Sequence, residues 1–217
     1  MKFEKYKTII FDCDGVILNS NKIKSKAFFD TVSHYGKENA KKLVEYHIKN
    51  GGVSRFHKFE YFIQKIIKSK PNIQTLKDLL EDYGRHVTKA QKTCEIAKGL
   101  IKLRQHTSDS GWMVVSGSYQ EELRIIFKER NISDLFNLGI YGSPDPKDQI
   151  FKREIENNNI QFPAIYIGDS KYDYKCSKEN EIDFIFIFNW TEVLDWKNFC
   201  IKNKIHYFKS LSSLTKL

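Results

Sequence analysis

Apolar residues along this chain gather into short runs that end abruptly at polar ones. Thr8-Ile9-Ile10-Phe11 breaks off at Asp12, and Trp112-Met113-Val114-Val115 breaks off at Ser116. Further runs cover 138–141, 164–167 and 184–187, with a weaker one at 205–208. Runs this short, rich in β-branched and aromatic residues, read as strands buried on both faces. Residues 119–130, 147–157 and 171–179 between them are predicted as helices. From about residue 112 onward, strand and helix therefore alternate. That order predicts a parallel sheet covered by helices on both faces.

The stretch from 19 to 92 has a different rhythm. Phe28, Val32 and Tyr35, then Phe59, Phe62, Ile63, Ile66 and Ile67, recur at helical spacing, and no strand-like run interrupts them. Gly51-Gly52, Pro71 and Gly84 punctuate the stretch. The expected organisation is α/β: a three-layer, Rossmann-like parallel-sheet core from 1–17 plus 92–217, with a helical cap over 18–91 inserted after the first strand. A length of 217 residues suits one core and a small insert, and is too short for two full α/β domains.

Composition narrows the function classes. No apolar run approaches the roughly 18 residues that a membrane crossing needs; the longest, 182–188, carries Asp183. The first residues, Met1-Lys2-Phe3-Glu4-Lys5, lack the apolar stretch of a secretion signal, so the expected location is the cytoplasm. Cys13, Cys94, Cys176 and Cys200 form no CxxC pair and are expected to be reduced thiols, with no zinc site. The net charge of +9 comes largely from 30 lysines spread along the chain, with only six arginines, which points away from a nucleic-acid partner. A mildly positive field would instead draw in a small anionic substrate. Either a monomer or a homodimer is compatible with the sequence.

The chemistry lies where the predicted strands stop. Asp12 and Asp14 follow the first, Ser116 the second, Lys147 comes shortly after the third, and Asp169 and Asp173 follow the fourth. Ligands of open parallel sheets bind outside the carboxyl ends of the strands, so these side chains are expected to converge on one crevice. A phosphate ester repels a carboxylate nucleophile unless a hard cation screens it. Mg²⁺ takes oxygen ligands, and Asp12, the backbone carbonyl of Asp14 and Asp169 are the expected metal ligands, with Asp173 behind them or linked through water. Asp12 can then form an aspartyl-phosphate. Gly15 lets the chain leave the strand, so that Asp14 can act as general acid and base. Ser116 and the backbone N–H near Gly117 can hold the phosphoryl oxygens, and Lys147 can neutralise charge shared with Asp12. Taken singly, each feature has a plain alternative: a solvated loop for the DxD, a turn for Ser116, an exposed helix start for Lys147, a helix cap for Asp169-Ser170.

Four segments in order resemble the motifs of the haloacid dehalogenase-like superfamily: Phe11-Asp12-Cys13-Asp14-Gly15-Val16, Val114-Val115-Ser116-Gly117-Ser118, Gly142-Ser143-Pro144-Asp145-Pro146-Lys147 and Ile167-Gly168-Asp169-Ser170-Lys171-Tyr172-Asp173. The resemblance implies the same roles for these residues, and implies that the helical insert is a cap. Asp14 resembles the second aspartate of phosphatases and mutases and sets the chain apart from dehalogenases. Lys152 rivals Lys147 for the third motif. Tyr174-Lys175-Cys176-Ser177 departs from the small apolar residues common after Asp173. The expected activity is Mg²⁺-dependent hydrolysis of a sugar or amino-alcohol phosphate. A phosphomutase of the same superfamily is the alternative, and a receiver-like signalling domain would leave the insert unexplained. Asn19-Ser20-Asn21-Lys22, the Gly51–Arg55 segment and Gly142-Ser143-Pro144 are similar to phosphatases of bacterial surface-polysaccharide pathways.

Within the insert, Gly51-Gly52-Val53-Ser54-Arg55-Phe56-His57-Lys58 joins a helix break to a cluster of cations. Arg55 is the expected substrate contact, on a loop reaching over the site; the plain alternative places Arg55 and Lys58 on a wet helix face. His57 is expected at the surface, and His34, His47, His86, His106 and His206 receive no role. Phe28, Phe29, Tyr61 and Phe62 are expected mostly in the core of the insert.

Overall fold

The period-two alternation inside each short run decides which side of the sheet a residue faces. In the computed structural model, which describes residues 3–70 and 72–215, β1 (Thr8–Phe11) is buried at every position. Ile9 and Phe11 point into one apolar layer, and Ile10 points into the other. Met1, Lys2 and Pro71 lie outside the described residues. The other strands are β2 (Gly111–Tyr119), β3 (Ile140–Ser143), β4 (Ala164–Gly168), β5 (Asp183–Ile187) and β6 (His206–Phe208). All pairings are parallel, in the order β3-β2-β1-β4-β5-β6. The order reverses at β1, and such a switch point opens a crevice at the carboxyl edge of the sheet.

Helices cover both faces, as the alternation predicts. The layer around Phe11, Trp112 and Ile167 is closed by α5 (Leu100–His106), α6 (Gln120–Glu129) and α10 (Leu211–Leu214). The layer around Ile10, Met113 and Tyr166 is closed by α7 (Lys147–Glu156), α8 (Lys171–Glu179) and α9 (Trp196–Lys202). Between β1 and β2 stand α1 (Asn21–Val32), α2 (Lys37–Lys49), α3 (Arg55–Tyr61), which runs on into a π-helical turn over Phe62–Ile66, and α4 (Ile73–Gln91). They share a core of their own, with Phe28, Val32, Leu43, Phe59, Phe62 and Tyr83 at its centre. Among the described residues no helix is long and apolar enough to cross a membrane. All four cysteines are free.

Three elements depart from the pattern reading. β2 runs four residues beyond Val115, with a register shift against β3 between Val115 and Tyr119, so Ser116 lies within the strand. β3 begins at Ile140 instead of 138, because Gly139 takes a φ of +109° that breaks the extended run. Gly84 does not stop a helix; it sits inside α4, where a Cβ would come within 3.0 Å of Glu122 Oε1 and 3.6 Å of Arg55 Nη1. Its missing side chain makes room for that ion pair. Helices α5, α9 and α10 escape the pattern reading, since four to seven residues give too little periodicity.

Candidate active site

Strand register brings the motif residues together. Phe11 aligns with Val114 of β2 on one side and with Ile167 of β4 on the other, so the residues that follow emerge at one edge. Gly15 takes a φ of +79°, and a Cβ there would come within 2.2 Å of Asp169 Oδ2. Only glycine lets the loop after β1 lie this close to the loop after β4.

Asp12 is buried, and its two oxygens are in different states. Oδ1 accepts from Cys13 N–H at 2.8 Å and lies 3.0 Å from Lys147 Nζ, while Oδ2 has no protein partner among the described residues. Lys147, at the first position of α7, also donates to Asp173 Oδ1 at 2.6 Å and to the Tyr166 hydroxyl at 2.9 Å. Lys152 is exposed on α7 and has no part in this cluster. Burial lifts the Asp12 carboxyl to about 7; Lys147 opposes the rise, and Asp173 and Asp14 reinforce it. Asp169 is pushed well above the usual carboxylate range by burial and by Asp12 and Asp173. Lys147 is held charged, since the pull of Asp12 and Asp173 outweighs its burial.

Asp173 is fully engaged by protein. Oδ1 takes Lys147 and Tyr166, and Oδ2 accepts from the backbone N–H groups of Asp169 at 3.2 Å and Ser170 at 3.0 Å. It also completes a capping box with Ser170 at the start of α8. Its role is to fix Lys147 and the Asp169 loop.

Asp14 is surrounded by donors: Ser20 Oγ at 2.6 Å, Ser118 Oγ at 2.7 Å, Gln91 Nε2 at 2.9 Å and the Lys24 ammonium. Burial alone would raise its carboxyl, yet Lys24 and the hydroxyl donors hold it at about 2. Ser20 occupies the N-cap of α1 without capping it, because its hydroxyl is turned to Asp14. The hydroxyl of Ser116 accepts from Ser118 N–H at 3.2 Å and keeps its own proton free to donate. Gly117 faces the insert so closely that a Cβ would sit 2.2 Å from Gly52 carbonyl oxygen.

The insert roofs these groups. A cavity of about 50 Å³ lies between Asp12, Asp14, Gly117, Ser118 and Asp169 below and Lys24, Phe28, His47, Gly51, Gly52 and Lys58 above. Arg55 does not sit on a loop: it opens α3, with Ser54 as the N-cap. Its guanidinium borders the cavity but is committed in a fork to both oxygens of Glu122 on α6, with its flat face 4.8 Å from the Tyr83 ring centre. The arginine thereby straps insert to core. His57 is exposed, whereas His47 is buried in the cavity wall. Lys24, Lys58, His47, Ser20, Gln91 and Ser118 were not legible as site residues. A signal existed for the lysines: Lys24 lies four before Phe28, and Lys58 four before Phe62, both on apolar helix faces.

The donor set fits a hard divalent cation. Carboxylate oxygens of Asp12, Asp169 and Asp173 lie within 4.8 Å of one another, all buried. The Asp14 carbonyl accepts no hydrogen bond from the described residues. Oxygen-only donors suit Mg²⁺, and no imidazole or thiolate stands among them to favour zinc.

Comparison with known proteins gives the site a context. The sequence pattern of the haloacid dehalogenase-like hydrolases matches residues 9–187. A predicted phosphatase from Clostridium acetobutylicum superposes with a TM-score of 0.75 at 17% identity, covering 97% of each chain. A haloacid dehalogenase-like hydrolase from Bacteroides fragilis superposes at 0.72 and 16% identity, over 97% of this chain and 100% of the other. A β-phosphoglucomutase from Clostridium difficile superposes at 0.72 and 16% identity, over 96% and 93%. At such identities the likeness is one of fold. No curated protein matches the chain by sequence.

Proposed function

The chain belongs to the haloacid dehalogenase-like hydrolases, and from that premise we propose that it hydrolyses small phosphate monoesters through an aspartyl-phosphate on Asp12, with Mg²⁺ as cofactor. One observation carries the reading. Asp12 presents an unengaged Oδ2 to the cavity while Lys147 and the Cys13 N–H hold Oδ1 in place. That is the posture of a nucleophile aimed at an incoming phosphorus.

Asp12, Asp169 and the Asp14 carbonyl would hold Mg²⁺, which would supply positive charge to offset repulsion between carboxylate and ester. Ser116, the Gly117 backbone and Lys147 then stabilise charge on the phosphoryl oxygens. Asp12 Oδ2 forms a bond to phosphorus as the ester P–O bond breaks. The leaving oxygen takes the proton shared by the Asp14–Lys24 pair. In the second step that pair recovers a proton from water as the water oxygen attacks phosphorus. Inorganic phosphate departs, and the Asp12 carboxylate is restored. Asp173 holds Lys147, and the roof excludes bulk water.

Asp12→Asn is expected to abolish phosphate release while leaving the circular-dichroism spectrum unchanged, because the amide is a poor nucleophile and a poor Mg²⁺ ligand. Activity within about tenfold of wild type would remove Asp12 from this role, since loss of a covalent nucleophile costs far more. Chelation should silence the wild type, and Ca²⁺ should inhibit it by loosening the coordination. Stimulation by a trace sugar bisphosphate would move the chain from hydrolase to mutase.

A further inference from the structure

Three basic side chains line the cavity: Lys24, Arg55 and Lys58. Lys24 is paired with Asp14, and Arg55 with Glu122. Lys58 has no carboxylate within ion-pairing distance among the described residues, yet it is only 2% exposed. Its ammonium meets His47 Nδ1 at 2.8 Å and lies 5.5 Å from the Phe28 ring centre. Burying a cation without a counter-charge is costly, so an anion entering the cavity beside Lys58 would supply the missing partner of its charged form.

The surroundings fix where that ligand would sit. With Lys58 donating to Nδ1, the other ring nitrogen of His47 carries its proton toward Glu192, 4.0 Å away. Glu192 is held by Ser25 Oγ at 2.7 Å, on the far edge of the imidazole from Lys58. His47 is kept neutral, chiefly by burial and then by Lys58 and Lys24. Burial, Lys24 and Lys147 lower Lys58 itself to about 7, against the opposing pull of Asp14 and Glu192. Among the described residues, Lys58 on α3 is thus the one lysine or arginine of the cavity wall with no carboxylate partner, and it shares the cavity with Asp12.

We propose that Lys58 seats a second anionic group, so that the preferred substrates are short phosphate esters whose alcohol carries a carboxylate. The proposal rests on the phosphatase reading for its phosphoryl half. A cavity of about 50 Å³ has room for only a few water-sized groups, which favours a compact carboxylate over a second phosphoryl group. His47 Nδ1, 2.8 Å away, orients the ammonium.

Non-hydrolysable phosphonates test the seat without relying on turnover. Phosphonoacetate, ethylphosphonate, aminoethylphosphonate and methylenebisphosphonate would be titrated calorimetrically into the Mg²⁺-loaded wild type, Lys58→Met and Lys58→Arg. The wild type should bind phosphonoacetate about 10- to 100-fold more tightly than ethylphosphonate, as expected for one charged hydrogen bond. Lys58→Met should bring that ratio close to one, and Lys58→Arg should keep part of it. Because the readout is a ratio, any general loss of affinity in a variant cancels. Equal binding in the wild type, or a preference that Lys58→Met retains, would overturn the proposal. Tighter binding of the bisphosphonate would replace the carboxylate by a phosphoryl group, and tighter binding of the amine would transfer the reading role to Glu192. Phosphate release from the matching esters is measured separately. A chain that binds phosphonoacetate selectively but hydrolyses no ester keeps the seat and loses the phosphatase reading. One that hydrolyses acidic and neutral esters alike loses the seat alone.

Discussion

Asp14 accepts from four donors with two oxygens, and one of the four is the Lys24 ammonium. A carboxylate so held is ionised near neutral pH, so in the proposed reaction the leaving group is served by Asp14 together with the Lys24 ammonium and not by Asp14 alone. Asp14→Asn removes the oxygen that relays the proton. Hydrolysis of alkyl phosphates should then slow by about 10²–10⁴, with activated aryl phosphates less affected because their leaving oxygens need less protonation. Rates compared across leaving groups of graded basicity check this, and an undiminished alkyl rate would end the assignment. The DxD and its glycine were readable in sequence because their spacing dictates a strand end and a turn. The donors around Asp14 were not, since Ser20 and Lys24 at the start of α1, Gln91 at the end of α4 and Ser118 in β2 come from three separate segments.

At the scale of elements, two of the contacts between the helical insert and the core show how it is seated. The turn at Gly51-Gly52 wedges between Gly117 and Ser170, where a Cβ on Gly52 would lie 2.9 Å from Ser170 Oγ. The second is the Arg55–Glu122 pair between α3 and α6, with Arg55 buried and the Glu122 side chain 22% exposed. The same glycines that look like a helix break in sequence are, in the fold, a surface smooth enough for two backbones to meet. Arg55→Ala should therefore weaken closure toward every substrate. We expect kcat/KM to fall by similar factors for an aryl phosphate and for a larger ester, and stability to fall by about 1–3 kcal/mol in urea. A loss confined to the larger ester would return Arg55 to the role of substrate reader.

For the molecule as a whole, three carboxylates gathered at one sheet edge, Asp12, Asp14 and Asp169, set a pH dependence. Asp12, raised to about 7, and Asp169, also raised well above the usual carboxylate range by burial and by Asp12 and Asp173, keep protons in the metal-free fold that the unfolded chain has already released. From about pH 4, the ordinary carboxylate range, to 7, unfolding therefore releases protons, so rising pH weakens the metal-free protein through these two groups. Asp14 acts oppositely: its stabilisation is complete above the ordinary carboxylate range and is lost as pH falls toward about 2. A cation bound as proposed would take the place of the protons on Asp12 and Asp169. The rise in Tm on adding Mg²⁺ should accordingly be larger at pH 8 than at pH 5, and Asp12→Asn should flatten the difference. Scanning calorimetry at the two pH values checks it; an equal rise at both would separate the cation from these carboxylates.

Local pattern was enough for the alternating strands and helices, because each depends on neighbours in sequence: alternation for a buried strand, a glycine for a turn. The length of β2 and the start of β3 depend instead on cross-strand register and on the φ of Gly139. The partners of Asp14, the commitment of Arg55 to Glu122, and the isolation of Lys58 were decided only by tertiary structure. A charged side chain in sequence is merely polar. Whether it is a strap, a proton store or an open seat for an anion depends on which opposite charge the fold brings within reach, and on how much water the fold removes.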